Sequence, residues 1–216
     1  YKRQVPTLIE LLDEKHWPED ARGEGFAPVH AARLLGRLGA EQAIPALLHA
    51  LMECNAIHIL YSEAESTLKT MGSAVAPPIL ARLEQDLPDE QRVSLLAVVA
   101  RSGVKDARIA AWLSESLADA PLLLANAAVD YGDRSLLPTL SKTLDQTPLP
   151  PMNPDDFFAT FSERQGIIEL VSAIENLGGT LSPSQKAKRK LVSQQLEDWR
   201  NQMGLPHLDL ASLLGG

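Results

Sequence analysis

Apolar positions along this chain recur at three- and four-residue spacing, in short bursts that each end on a glycine. In 29-VHAARLLGRLG-39, Ala31, Ala32, Leu34, Leu35 and Leu38 make one helical stripe, and its small members let a neighbouring helix come close. Gly39 predicts the stop, because the residue just past a helix commonly needs φ > 0, which glycine reaches cheaply. A second helix follows with Pro45 in its first turn, where the missing N–H had no intrahelical partner. Leu47, Leu48 and Leu51 form its apolar face. The unit reads helix, tight turn, helix.

The unit recurs. Gly72 and Pro78, and again Gly132 and Pro138, repeat the six-residue spacing of Gly39 and Pro45; in the third unit Gly103 is followed by Ile109 at the proline's place. Ala64, Leu68, Met71 and Leu80 match Ala31, Leu35, Leu38 and Leu47. The third unit uses Leu95, Leu96 and Val99, then Ile109, Leu113 and Leu117. The fourth uses Leu124, Ala127, Ala128 and Tyr131, with Asp133 as an N-cap before Leu137, Leu140 and Leu144. The glycines lie 33, 31 and 29 residues apart. Two helices per period of that length predict an α-solenoid.

The edges of the pattern predict the organisation. The run 5-VPTLIELL-12 matches 44-IPALLHAL-51, so residues 5–14 read as the second helix of a partial first repeat. Residues 15–28 form a Pro/Gly/charged insertion, with Trp17 and Phe26 at its flanks as either a binding edge or a cover for the first repeat. The expected repeat array spans residues 1–146. A Pro-rich linker at 147–155 then leads to a longer helical pair that caps the array over 156–216. Ser182, Pro183 and Gln185 make a helix-start signature, and Leu191, Leu196, Trp199 and Met203 form a stripe behind it.

Composition narrows the function. The 216 residues are 45% apolar but only 5% aromatic, which favours packed helices over sheet. A formal net charge of −8 repels phosphate backbones and disfavours a general nucleic-acid role. The single Cys54 leaves no internal disulfide and fits a reducing, cytoplasmic setting. No apolar run reaches the roughly 18–20 residues of a membrane span.

The segment Ala-x-x-Leu-Gly-x-Leu-Gly at 32–39, continuing into Ala43-Ile44-Pro45, with echoes at Leu68 to Pro78 and Ala128 to Pro138, resembles HEAT repeats of the short bacterial, PBS-lyase type. The resemblance is good over 29–146. It implies an all-α fold, a right-handed α-α superhelix of the HEAT/armadillo kind with about five helix pairs, whose second helices line a concave face that holds another protein. It implies no cofactor and no reaction. Two enzyme-associated uses of the repeat remain as alternatives: alkylpurine DNA glycosylases and phycobilin lyase subunits. The glycosylase reading requires a cationic groove, yet Arg82, Arg108 and Trp112 share their helices with Glu84, Asp86 and Glu115.

Candidate chemistry is sparse. The pairs His49/Glu53 and Cys54/His58 have helical spacing but no third ligand, short of what zinc requires. There is no G-x-S-x-G elbow, Walker loop or G-x-G-x-x-G. The run 186-KAKRKL-191 reads as the solvated side of the last helix or as a contact for an acidic partner. Leu210, Leu213 and Leu214 in the tail have a spacing suited to a partner's groove or to folding back on the last pair. The expected function is therefore a non-catalytic scaffold or adaptor for a protein partner. Glu53, Arg82, Arg108, Trp112 and Lys142 are its expected partner-binding residues.

Overall fold

A computed structural model describes residues 4–17, 25–54, 58–149 and 157–202. Among them are eleven α-helices and no strand. In order these are α1 (Val5–Glu10), α2 (Phe26–Arg37), α3 (Ile44–Glu53), α4 (Ile59–Thr70), α5 (Ala76–Leu83), α6 (Asp89–Val99), α7 (Ala107–Ser116), α8 (Pro121–Tyr131), α9 (Leu137–Gln146), α10 (Phe157–Asn176) and α11 (Pro183–Gln202). The fold is all-α and HEAT-like: α2/α3 through α10/α11 are five helix pairs, preceded by the single helix α1.

The punctuation read from the sequence is where the backbone turns. Gly39, Gly72, Gly103 and Gly132 all take positive φ, at 59°, 60°, 79° and 69°. At Gly39 the cavity around a would-be Cβ is open, so it is the left-handed backbone, not crowding, that selects glycine. Pro45, Pro78 and Pro138 fall at the starts of α3, α5 and α9. Asp133 accepts the Ser135 N–H at 2.8 Å, capping a short 3₁₀ turn that leads into α9. Ser182 and Gln185 bond reciprocally, Gln185 N–H to Ser182 Oγ at 3.2 Å and Ser182 N–H to Gln185 Oε1 at 3.0 Å, which starts α11.

The chain divides into two compact units, Tyr1–Leu113 and Ser114–Gly216. In the first, α2 packs on α1 and α4, α3 on α4 and α6, and α6 on α4 and α5. Close approach is possible because Gly36 of α2 faces Thr67 of α4: a Cβ there would lie 2.9 Å from Thr67 Cγ2. Thr67 is buried and donates to the Ala32 carbonyl at 3.3 Å. Helix α6 shows no apolar stripe because every residue from Val93 to Val99 is buried, as expected of a helix enclosed on all sides. Its one hydroxyl, Ser94, is satisfied by the Glu90 carbonyl and by Tyr61 Oη, both at 2.8 Å.

In the second unit α10 packs on α8, α9 and α11. Arg164 of α10 is fully buried and donates to Gln195 Oε1 of α11 at 3.0 Å. The linker expected at 147–155 lies outside the described residues from 150 onward, as do 18–24 of the 15–28 insertion, Met203 and the tail at 204–216.

Candidate functional site

The second helices of unit 1 carry three of the five expected residues, Arg82 and Arg108 exposed and Trp112 half-buried. Arg82 stands on α5 and Arg108 and Trp112 on α7. Arg108 and Trp112 are four apart, hence one above the other on the helix, and the guanidinium carbon lies 6.0 Å from the indole centroid. Two carboxylates hold that guanidinium. Asp106 takes it from Nε at 3.1 Å and from Nη2 at 2.7 Å, while also accepting the Arg108 backbone N–H at 2.9 Å. Glu84, the residue that closes α5, takes Nη1. Arg108 is therefore an anchored fork, held at the start of α7 by a side chain that also caps the helix.

The electrostatics follow from these bonds. Hydrogen bonds from the Arg108 side chain, then from its backbone, hold the Asp106 carboxyl down at about 2. Arg108 in turn keeps its proton more tightly, first through its bond to Asp106. Arg82 points along its own helix end, with Nη1 donating to Gln85 Oε1 at 3.1 Å. The result is a ledge of exposed Arg82, Glu84 and Arg108 with half-buried Asp106 and Trp112, at the end of α5 and along the first half of α7.

The other two expected residues stand on other helices. Glu53 is exposed as the last residue of α3. Lys142 is exposed on α9, in the second unit. Asp106 was not singled out from the sequence. Its signal was local: a short acid one residue before a helix, two residues ahead of an arginine it can both cap and clasp.

The histidine pairs resolve into local bonds. His49 reaches Glu14 at 2.7 Å, not Glu53, and its ring lies 5.9 Å from Trp17. Trp17 donates to the Leu12 carbonyl at 3.0 Å and so packs against the α1–α3 side of the unit. His58 caps α4, its Nδ1 accepting the Leu60 N–H at 3.2 Å. Partial burial, helped by the Glu14 charge, pushes the Cys54 thiol up to about 11, which makes it a poor thiolate at neutral pH. Among the described residues no three His, Cys, Asp or Glu side chains gather as a metal ion requires. No helix among them is long and apolar enough to cross a membrane.

The basic run on α11 turns partly inward. Lys188 Nζ donates to the carbonyls of Leu144 at 2.5 Å and Thr147 at 2.7 Å, at the end of α9. Arg189 pairs with Glu175 at 2.8 Å. Lys186 and Lys190 remain exposed. The run is thus half stitching and half solvated face.

Set against known families, residues 28–51 match the family model described as the PBS lyase HEAT-like repeat. The match covers α2, the Gly39 turn and most of α3. No curated protein and no solved structure matches the chain.

Proposed function

We propose that this chain, whose residues 28–51 match the HEAT-like repeat, is a non-catalytic scaffold or adaptor that binds a protein partner through the end of α5 and the first half of α7. The observation that carries this is the Arg108–Trp112 pair, an exposed guanidinium beside a half-buried indole, with the guanidinium already fixed by Asp106 and Glu84. Arginine and tryptophan are enriched among the residues that dominate the energetics of protein interfaces; each offers a large contact area, but arginine has many rotamers to lose on binding and tryptophan few. Here Asp106 and Glu84 have restricted the longer of the two before any partner arrives.

The ledge is mixed in charge, so the partner it suits presents both signs: a carboxylate for Arg82 and a basic or amide group for Glu84, around an apolar or aromatic contact for Trp112. Glu53 and Lys142 extend the list of polar second-helix residues and belong to the same proposal. Mixed charge at this surface favours a protein over nucleic acid, where a run of free cations would be needed.

The test is capture of partners from a lysate of the source cells, followed by isolation of the captured protein and titration. Arg108→Glu and Trp112→Ala are each expected to weaken binding of that purified partner by about ten- to a hundredfold, the range of a modest interface hot spot. Lys190→Glu on α11 is expected to leave it unchanged. Loss with Lys190→Glu and none with the α7 variants would transfer the function to the second unit.

A further inference from the structure

The α1 side of unit 1 holds a feature that the ledge does not use. Gln4, Thr7 and Leu8 of α1 and Leu34, Arg37 and Leu38 of α2 line an apolar groove of about 420 Å³. Leu34 and Leu38 are 44% and 40% exposed there, unusual for leucines at the centre of a helical stripe. Arg37 has no ion-pair partner among the described residues.

The repeat register says what such a groove holds. Residues 5–12 of α1 align with 44–51 of α3, and α2 aligns with α4 thirty-three residues on. The counterparts of Gln4, Leu8 and Leu34 are then Ala43, Leu47 and Thr67. All three are buried, at 0%, 0% and 4% exposure. The cover over Thr67 is α2 itself, which lies against α4, gives its Ala32 carbonyl to Thr67 and passes it at Gly36. The α1/α2 groove is the same kind of surface one repeat earlier, and no described helix lies on it. A helix resembling α2, with small residues at the places of Ala32 and Gly36, fits it.

The chain contains that sequence twice. Ala32-Arg33-Leu34-Leu35-Gly36 has an echo in Ala211-Ser212-Leu213-Leu214-Gly215. In the same alignment Val29, Ala31, Ala32 and Leu35, four of the five residues that α2 buries, correspond to Leu208, Leu210, Ala211 and Leu214, and the fifth, Pro28, to His207. Gly215 falls where Gly36 makes room for Thr67, and in the groove it would make room for the bulkier Leu34. The one acidic side chain of the segment, Asp209, complements a rim that carries Arg37.

We propose that residues 207–216 of one copy seat in the α1/α2 groove of a second copy. Because the two surfaces differ, the contact is head to tail, and each copy keeps one free groove or one free tail for the next.

The experiment uses the full chain and two defective variants: Leu38→Asp, which charges the exposed rim of the groove, and a deletion of residues 204–216. Sedimentation over a range of concentrations is expected to show self-association of the full chain and monomers for each variant alone. Mixing the variants is expected to restore one-to-one dimers, because the deletion variant keeps its groove and the Leu38→Asp variant keeps its tail. A labelled peptide of residues 204–216 is expected to bind the deletion variant and to lose about tenfold or more of its affinity when Leu34→Asp is added. Since Leu34 and Leu38 are exposed, helical circular dichroism should be unchanged in every variant. A full chain that stays monomeric, variants that do not complement, or peptide binding indifferent to Leu34→Asp would each overturn the proposal. Peptide binding to the deletion variant, alongside a monomeric full chain, would mean that the tail does not act on a second copy.

Discussion

The two compact units are built from the same kind of helix pair but are held together differently. In unit 1 leucines fill most joints: Leu35, Leu47, Leu60, Leu68 and Leu96 are fully buried, Gly36 lets α2 and α4 approach, and the polar side chains that cross, Tyr61 to Ser94, Gln91 to the Met52 carbonyl and Arg33 to Glu63, each reach one partner residue. In unit 2 long polar side chains cross between helices. Gln185 donates to the Ser141 carbonyl and hydroxyl and to Asp145 Oδ1, at 3.2, 2.8 and 3.1 Å. Lys188 satisfies the last carbonyls of α9, where a cation also suits the negative helix end. Arg164 is buried between α10 and α11. Unit 1 therefore spreads its stability over many similar contacts, whereas unit 2 concentrates part of it in a few residues.

The contrast can be broken by substitution. Leu68→Ala, at a fully buried position of unit 1, is expected to cost about 2–5 kcal/mol in urea unfolding, the transfer term plus an unfilled cavity. Next in size is Gln185→Ala, which removes one side chain with four bonds and exposes no large cavity; the expected loss is about 1–3 kcal/mol. Tyr61→Phe removes a single cross-helix hydroxyl in unit 1 and should cost only about 1 kcal/mol, since Ser94 retains its bond to the Glu90 carbonyl. If Tyr61→Phe cost as much as Gln185→Ala, the distinction between distributed and concentrated joints would fail.

The smallest expected effect is a pH dependence. Asp106 has a folded-state value of about 2 against an ordinary value of 3.8, so its contribution to stability is complete above pH 4. It is lost as pH falls from there through 2, and because the pair is exposed the change is small and screened by salt. Asp106→Asn should flatten the acid limb of an unfolding-midpoint profile in that window and leave the profile at neutral pH nearly unmoved.

How much of this was legible beforehand depends on whether a signal is local. The four glycine turns, the prolines at helix starts and the Ser182/Gln185 box were readable because each is fixed by backbone chemistry within a few residues. The burial of every α6 residue from Val93 to Val99 was not, since its sequence carries the same leucines as its neighbours and only the surrounding helices enclose it. The inward turn of Lys188 was likewise hidden, because a lysine in a basic run looks the same whether it meets water or a helix end forty-odd residues away. In the ledge, Arg108 and Trp112 could be picked out as large residues on a second helix. Glu84 entered the sequence reading only as a charge that weakens a cationic groove, and the structure makes it one of the two carboxylates that hold the arginine in place.

The central claim, that the end of α5 and the first half of α7 form a surface for a protein partner, is tested most directly by hydrogen exchange of the chain with and without its purified partner. The account predicts slowed exchange in α5 and in the α7 residues around Arg108 and Trp112, abolished by Arg108→Glu. Protection confined to α10 and α11, with α5 and α7 exchanging as in the free chain, would contradict it.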